Sequence, residues 1–147
     1  MANQPNTDPD AILIPIRYGD LDPQGHVNNA RVLTFSEQAR MIYLQRLKLW
    51  DGADFSNLGI IVADTHVTYH AQICIWQTVR VTAHVTRLGN KSLRFEHHVE
   101  DAETRERLAS VVTVVVAYDY HQQCSVTIWD EWRQKIAAYE GIPLREG

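Results

Sequence analysis

The chain has 147 residues and a formal net charge of −4. With 45% hydrophobic and 22% charged residues it has the composition of one ordinary globular domain. It lacks the basic excess that grips a nucleic acid backbone, and no apolar run approaches the roughly 18 residues that span a bilayer.

Residues 1–10 are polar and rich in Pro, Asn and Asp, and read as a loose tail ahead of a single domain over 11–147. They carry no basic start and no apolar segment of a signal peptide. The only cysteines, Cys74 and Cys124, lie far apart and are expected to be reduced thiols in a cytoplasmic protein.

Ile12 to Ile16 is short and β-prone, with Pro15 pointing to an edge or irregular position. Arg17 to Ala30 then gathers Gly, Asp, Pro and Asn, residues that favour turns for different reasons. Asn28 or Asn29 is placed to accept from the first free amides of a helix running from about Ala30 to Leu47. Val32, Phe35, Ala39, Ile42 and Tyr43 form its buried stripe. Two carboxylates and a histidine thus sit in a tight loop that feeds a helix N-terminus. Free amides and the positive helix end there suit a developing negative charge.

From Gly59 the period changes to about two. Ile60–Tyr69 is a strand with Ile61, Ala63, Thr65, Val67 and Tyr69 on one face, and residues 70–72 break it. Ile73 to Leu88 reads as one long strand, and Gly89-Asn90 as a hairpin turn into Ser92–Val99. Asp101–Glu106 is a charged turn. Arg107–Tyr120, with its Val111–Ala117 run, is a central strand, and Glu131–Glu140 a short helix stopped by Gly141. The expected fold is α+β: a five-stranded antiparallel sheet, one main helix and a short C-terminal helix. One helix leaves part of such a sheet bare, which favours self-association.

Asp22 is the first candidate for chemistry. Pro23 restrains it toward extended backbone, which holds its carboxylate in one place. On residue type alone, Asp20 and Asp22 are equally read as turn formers. His26 alone among the histidines lies in the loop; Gly25 permits close approach of the backbone. The amides around Val27 to Ala30 are the candidate oxyanion donors. The other histidines show no metal-ligand spacing, so no metal and no cofactor are expected.

The run Asp20-Leu21-Asp22-Pro23-Gln24-Gly25-His26-Val27-Asn28-Asn29, followed by Glu37-Gln38-Ala39-Arg40, resembles the hot-dog-fold thioesterases. The nearest branch is that of the 4-hydroxybenzoyl-CoA thioesterase-like acyl-CoA thioesterases. The resemblance covers the chain from about Ile12 to about Gly141. It implies a sheet wrapped around a central helix, dimers joined through edge strands, and hydrolysis of an acyl-CoA thioester to acid and CoA. It further implies that Asp22 is the catalytic carboxylate, as nucleophile or as general base, with Asp20 in an orienting part. Backbone amides at Gly25, Val27, Asn29 and Ala30 would form the oxyanion site. The His26-Val27-Asn28-Asn29 run also resembles plant acyl-ACP thioesterases, which implies catalytic or orienting parts for His26 and Asn28. The 4-hydroxybenzoyl-CoA enzymes carry an aromatic run at that place, so this departure speaks against a benzoyl substrate. Tyr69 and His70 would line the pocket, and Arg87, Lys91 and Arg94 would meet the CoA phosphates. The competing readings are an acyl-ACP thioesterase and a non-catalytic protein that binds acyl or aromatic ligands.

Overall fold

The computed structural model describes Asp8 and residues 11–145. Apart from Asp8, the expected tail lies outside the described residues. The strands are β1 (Ile12–Pro15), β2 (Ile60–Tyr69), β3 (Thr78–Val81), β4 (His84–Leu88), β5 (Ser92–Asp101), β6 (Arg107–Asp119) and β7 (Cys124–Ser125). They form one antiparallel sheet in the order β1-β3-β5-β6-β2, with β4 also on β5 and β7 on β6. The sheet curls around helix α1 (Asn29–Arg46), which packs on β3, β5 and β6. This is the expected hot-dog arrangement.

The alternation of β6 explains its central place. Val111, Thr113, Val115 and Ala117 are buried on one face, beside Phe95 and Leu93 of β5. Helix α1 turns Val32, Phe35, Ala39, Tyr43 and Leu44 onto that face. The rings of Tyr43 and Phe95 meet edge-to-face at 5.3 Å, and both are fully buried. Truncating such a buried ring costs about 3–5 kcal/mol. Helix α2 (Asp130–Glu140) packs on β4 with Trp132, Ile136 and Ala137, and ends at Gly141, whose φ of 66° takes the left-handed cap expected of it.

Two expectations about the strands are corrected. Ile73–Leu88 is not continuous. Its first residues are spent on the loop: Val27 donates to the Ile73 carbonyl, and Cys74 pairs with His26. Gln77 then closes a turn by accepting the Cys74 N–H at 2.7 Å, which leaves Trp76 at φ 75° and 87% exposed. The remainder runs along β5 as β3 and β4, with a jog at Thr82–Ala83. In β2 a register shift between Val62 and Asp64 breaks the alternation. Val62 therefore shares the inner face with Val115 and Thr65 with Thr113, whereas Ile61 falls outside it. Apart from Ile60 and Val67, β2 is exposed throughout, because it is an edge strand that α1 does not cover.

Candidate active site

The loop before α1 is a miniature hairpin. Leu21 pairs with Val27, Asp22 N–H donates to the His26 carbonyl at 2.8 Å, and Gly25 N–H donates to the Asp22 carbonyl at 3.0 Å. Gly25 is required by its φ of 84°, not by close contact, since a Cβ there would meet open space. Pro23 and Gln24 occupy the turn. The Asp22 carboxylate closes it from inside: one oxygen accepts from Gln24 N–H at 2.9 Å and from His26 N–H at 3.3 Å. Among the described residues the other oxygen has no partner, and the side chain is half-buried.

Asp20 points the other way and is buried. It accepts from the Arg17 N–H at 2.9 Å and from the Arg17 guanidinium at 3.2 Å, with Arg31 at 3.8 Å. Burial by itself would raise its pKa. The bonds from Arg17 and the charges of Arg17 and Arg31 outweigh that and hold the carboxyl below its usual range. Its carbonyl accepts the Asn28 N–H at 2.8 Å, so Asp20 ties the hairpin to the helix start.

Asn28 is the helix cap, with its side chain accepting from Ala30 N–H at 2.9 Å. That narrows the oxyanion expectation. The amides of Gly25, Val27 and Ala30 are all spent on protein acceptors, because hairpin closure, the bridge to Ile73 and the cap consume them. Among the described residues the Asn29 N–H donates to no protein acceptor. Tyr69, at the end of β2, donates its hydroxyl to the Asn29 carbonyl at 2.9 Å and so fixes the first helical residue.

These elements enclose a cleft of about 350 Å³. Asp22, His26, Asn29, Tyr69 and His70 line it over a floor of Val27, Val32 and Ile73, with Gln24, Ala71 and Gln72 at its rim. His70 is held by Ser110 at 3.0 Å. The structure thus brings Asp22, His26, Asn29, Tyr69 and His70 together, and turns the Asn28 side chain to capping. Val32, Ile73 and the two glutamines did not stand out in the sequence. The break after Tyr69 was the one signal for Gln72, whereas Ile73 enters through a non-local bridge. Arg87, Lys91 and Arg94 lie around the β4–β5 turn, roughly 20 Å from the cleft at about 3.3 Å per strand residue. Arg94 pairs there with Glu96 at 3.4 Å. Among the described residues no group of three or more His, Cys, Asp or Glu is placed to hold a metal.

A carboxylate with one anchored oxygen, an unspent helix N-terminal amide and an imidazole around one cleft suit addition to a carbonyl. The profile of the thioesterase-like superfamily matches residues 16–137. The chain belongs to that superfamily. It is a thioester hydrolase. A thioesterase from Thermus thermophilus, solved with coenzyme A and zinc, is 33% identical, with a TM-score of 0.80 over 90% of this chain and 95% of that one. The long-chain acyl-CoA thioesterase FadM of Escherichia coli is 24% identical over 123 residues, 84% of this chain and 93% of its own. The 1,4-dihydroxy-2-naphthoyl-CoA thioesterase Slr0204 of Synechocystis, at 16% identity and TM-score 0.76 over 86% and 94% of the two chains, shares the fold. No helix among the described residues of this thioesterase is long and apolar enough to cross a membrane.

Proposed function

We propose that this thioesterase hydrolyses acyl-CoA thioesters to the free acid and CoA, with Asp22 as the reacting carboxylate. The observation that carries the reading is the asymmetry of that carboxylate. One oxygen is pinned by two backbone amides, and the other is left to the cleft that Asn29 and His26 also line. The free oxygen attacks the thioester carbonyl, or takes a proton from a water that does; the oxyanion forms beside the Asn29 N–H. His26 orients the carbonyl or the water. The acyl group lies over Val27, Val32 and Ile73, and the CoA arm leaves past the rim. An acyl-CoA carrier is supported by the names of FadM and of the Thermus thermophilus complex. A cytoplasmic setting agrees with an acyl-CoA substrate.

We further infer a homo-oligomer joined through β2, whose apolar residues Ile61, Val62 and Tyr69 stand exposed at the sheet edge.

The deciding experiment is steady-state hydrolysis of an acyl-CoA panel from acetyl to palmitoyl and benzoyl, with released CoA read through its thiol. Turnover that collapses in Asp22→Asn supports the proposal. Absence of turnover on every member, with saturable binding of acyl-CoA, would instead make the chain a binding protein. Turnover of an acyl-ACP alone would move the carrier to ACP.

A further inference from the structure

Helix α1 separates two clefts of nearly equal size. Asn29 and Val32 face the Asp22 cleft of about 350 Å³; Arg31, Thr34, Phe35 and Gln38 face a second cleft of about 360 Å³. The second is closed on its far side by Leu13, Ile14 and Pro15 of β1, and Arg17 and Asp20 sit at its end. The mechanism proposed above places no reacting group there, and of its lining Asp20 touches the catalytic loop. We propose that this second cleft is a binding site for a small amphipathic carboxylate.

The first argument is charge. Two guanidinium groups meet one carboxylate there, so the end of the cleft keeps one net positive charge on a chain of net charge −4. Both side chains reach Asp20 yet remain open to solvent, Arg17 at 74% and Arg31 at 45% exposure. A guanidinium engaged along one edge keeps donors on another, in the fork that suits a second carboxylate.

The second argument is the body of the cleft. Ile14 and Phe35 form apolar wall, and Leu13 is 62% exposed beside them. An inorganic anion would leave that surface wet. An acid with a short hydrocarbon tail places its charge at the arginines and takes the apolar surface of Leu13 out of water.

The site is wired to the catalytic loop. Asp20 holds both arginines by its side chain and accepts the Asn28 N–H at its carbonyl, 2.8 Å away. Asn28 caps the helix whose first residue, Asn29, lines the Asp22 cleft. A carboxylate that shares the arginines with Asp20 changes the hold on Asn28. Occupancy of one cleft is thereby felt in the other, as mixed rather than purely competitive inhibition. The source of the ligand, the acid released by hydrolysis, rests on the thioesterase reading; the site itself rests on its own residues.

Amide NMR of the intact protein tests this with hexanoate, hexanamide and acetate as probes. Hexanoate should give saturable shifts at Leu13, Thr34, Gln38 and Asn28, with hexanamide silent there and acetate at least tenfold weaker. Gln38→Trp, at an exposed helix position, should fill the cleft and weaken hexanoate at least tenfold while leaving kcat/KM for acyl-CoA unchanged. Thr34→Trp replaces it if the first variant does not fold. Equal response to acetate and hexanoate, shifts confined to the Asp22 cleft, or full binding in the filled variant would each overturn the site. Hexanoate binding without any acyl-CoA turnover would leave the site standing and remove the thioesterase reading. Robust turnover with no shift at this cleft would do the reverse.

Discussion

The Tyr69 hydroxyl donates to the Asn29 carbonyl across 40 residues of sequence, 2.9 Å apart. The bond joins the end of an edge strand to the first residue of the helix that lines the cleft. It holds the one N-terminal residue whose amide is unspent among the described residues. Tyr69→Phe keeps the ring and removes the donor. A hydrogen bond of this kind is worth about 1 kcal/mol, or roughly five-fold if all of it is felt in the transition state. The expected outcome is a fall of that size in kcat with KM nearly unchanged. A rise in KM alone would make Tyr69 a substrate contact instead.

Asp22→Asn should lower kcat by roughly 10²–10⁴, the scale of a lost acid–base participant. The amide keeps an oxygen for the Gln24 and His26 amides, so the hairpin and the melting temperature should persist. Asp20→Asn should behave in the opposite way. It removes a buried charge from Arg17 and Arg31, and bonds to charged groups contribute about 1.5–3 kcal/mol. Its main effect should appear in thermal unfolding, with a smaller loss of kcat through Asn28. Kinetics and melting measured on both variants separate the roles. Equal modest losses in the two would reduce both aspartates to turn formers.

The helix and the Gly89-Asn90 turn were legible because each follows from local pattern: a stripe at three and four, and residues suited to a tight turn. The loop was legible for the same reason, down to an Asn cap at 28 or 29, which the structure places at Asn28. What sequence could not carry was the competition for hydrogen bonds. Gly25, Val27 and Ala30 all look like free donors until the carbonyls of Asp22 and Ile73 and the Asn28 side chain claim them. The claim on Val27 comes from a partner distant in sequence. The same bridge interrupts the alternation of Ile73–Leu88, which periodicity reads as unbroken. Trp76 at φ 75° gave no signal at all, because a bulky residue is not expected there.

The inferred self-association rests on β2. Eight of its ten residues are exposed, and Ile61, Val62 and Tyr69 are each more than two-fifths exposed. Light scattering at micromolar concentration should give at least twice the 16.9 kDa of one chain. Ile61→Lys with Val62→Lys should shift the mass toward the monomer, since charges on an edge oppose pairing. A wild-type mass near that of one chain would remove the inference.

His84 joins three distant parts of the chain. Its ring lies 3.1 Å from Glu140 at the end of α2 and 2.8 Å from Asp8. The bond to Glu140 leads, burial opposes it, and Asp8 adds to it; the net effect raises the His84 pKa to about 9 from 6.5. Because the folded value exceeds the unfolded one, the stabilisation is complete below about 6.5 and disappears as pH rises through about 9. Melting temperature should therefore fall between pH 7 and pH 10. In His84→Gln that alkaline limb should flatten, with the largest difference from wild type at pH 6–7. Parallel limbs in the two proteins would show that His84 carries no charge-dependent stability.

His97 gives the acid side. Fully buried on β5, it stacks on Phe95 with ring centres 5.9 Å apart, and its Nδ1 lies 3.1 Å from the Thr82 carbonyl. Burial is the main cause that lowers its pKa to about 3, and the positive charge of Arg40 adds to it against the Thr82 bond. The folded chain thus keeps this ring neutral where the unfolded chain takes up a proton. Stability is unaffected above about 6.5 and declines steadily as pH falls from there toward about 3. Carboxylates such as Asp20, held below their usual range, add their loss only below about pH 4. The window between pH 4 and pH 6 accordingly belongs to the histidines, and His98, whose pKa burial and the Arg107 charge also lower, adds a part of the decline that a change at His97 leaves in place. His97→Phe keeps a flat ring against Phe95 and abolishes its titration, so its melting temperature should fall less between pH 6 and pH 4 than that of wild type. The comparison needs only the slope over that window, so a uniform cost of repacking does not obscure it. An equal slope in the variant would mean that the buried ring does not titrate on unfolding as its surroundings require.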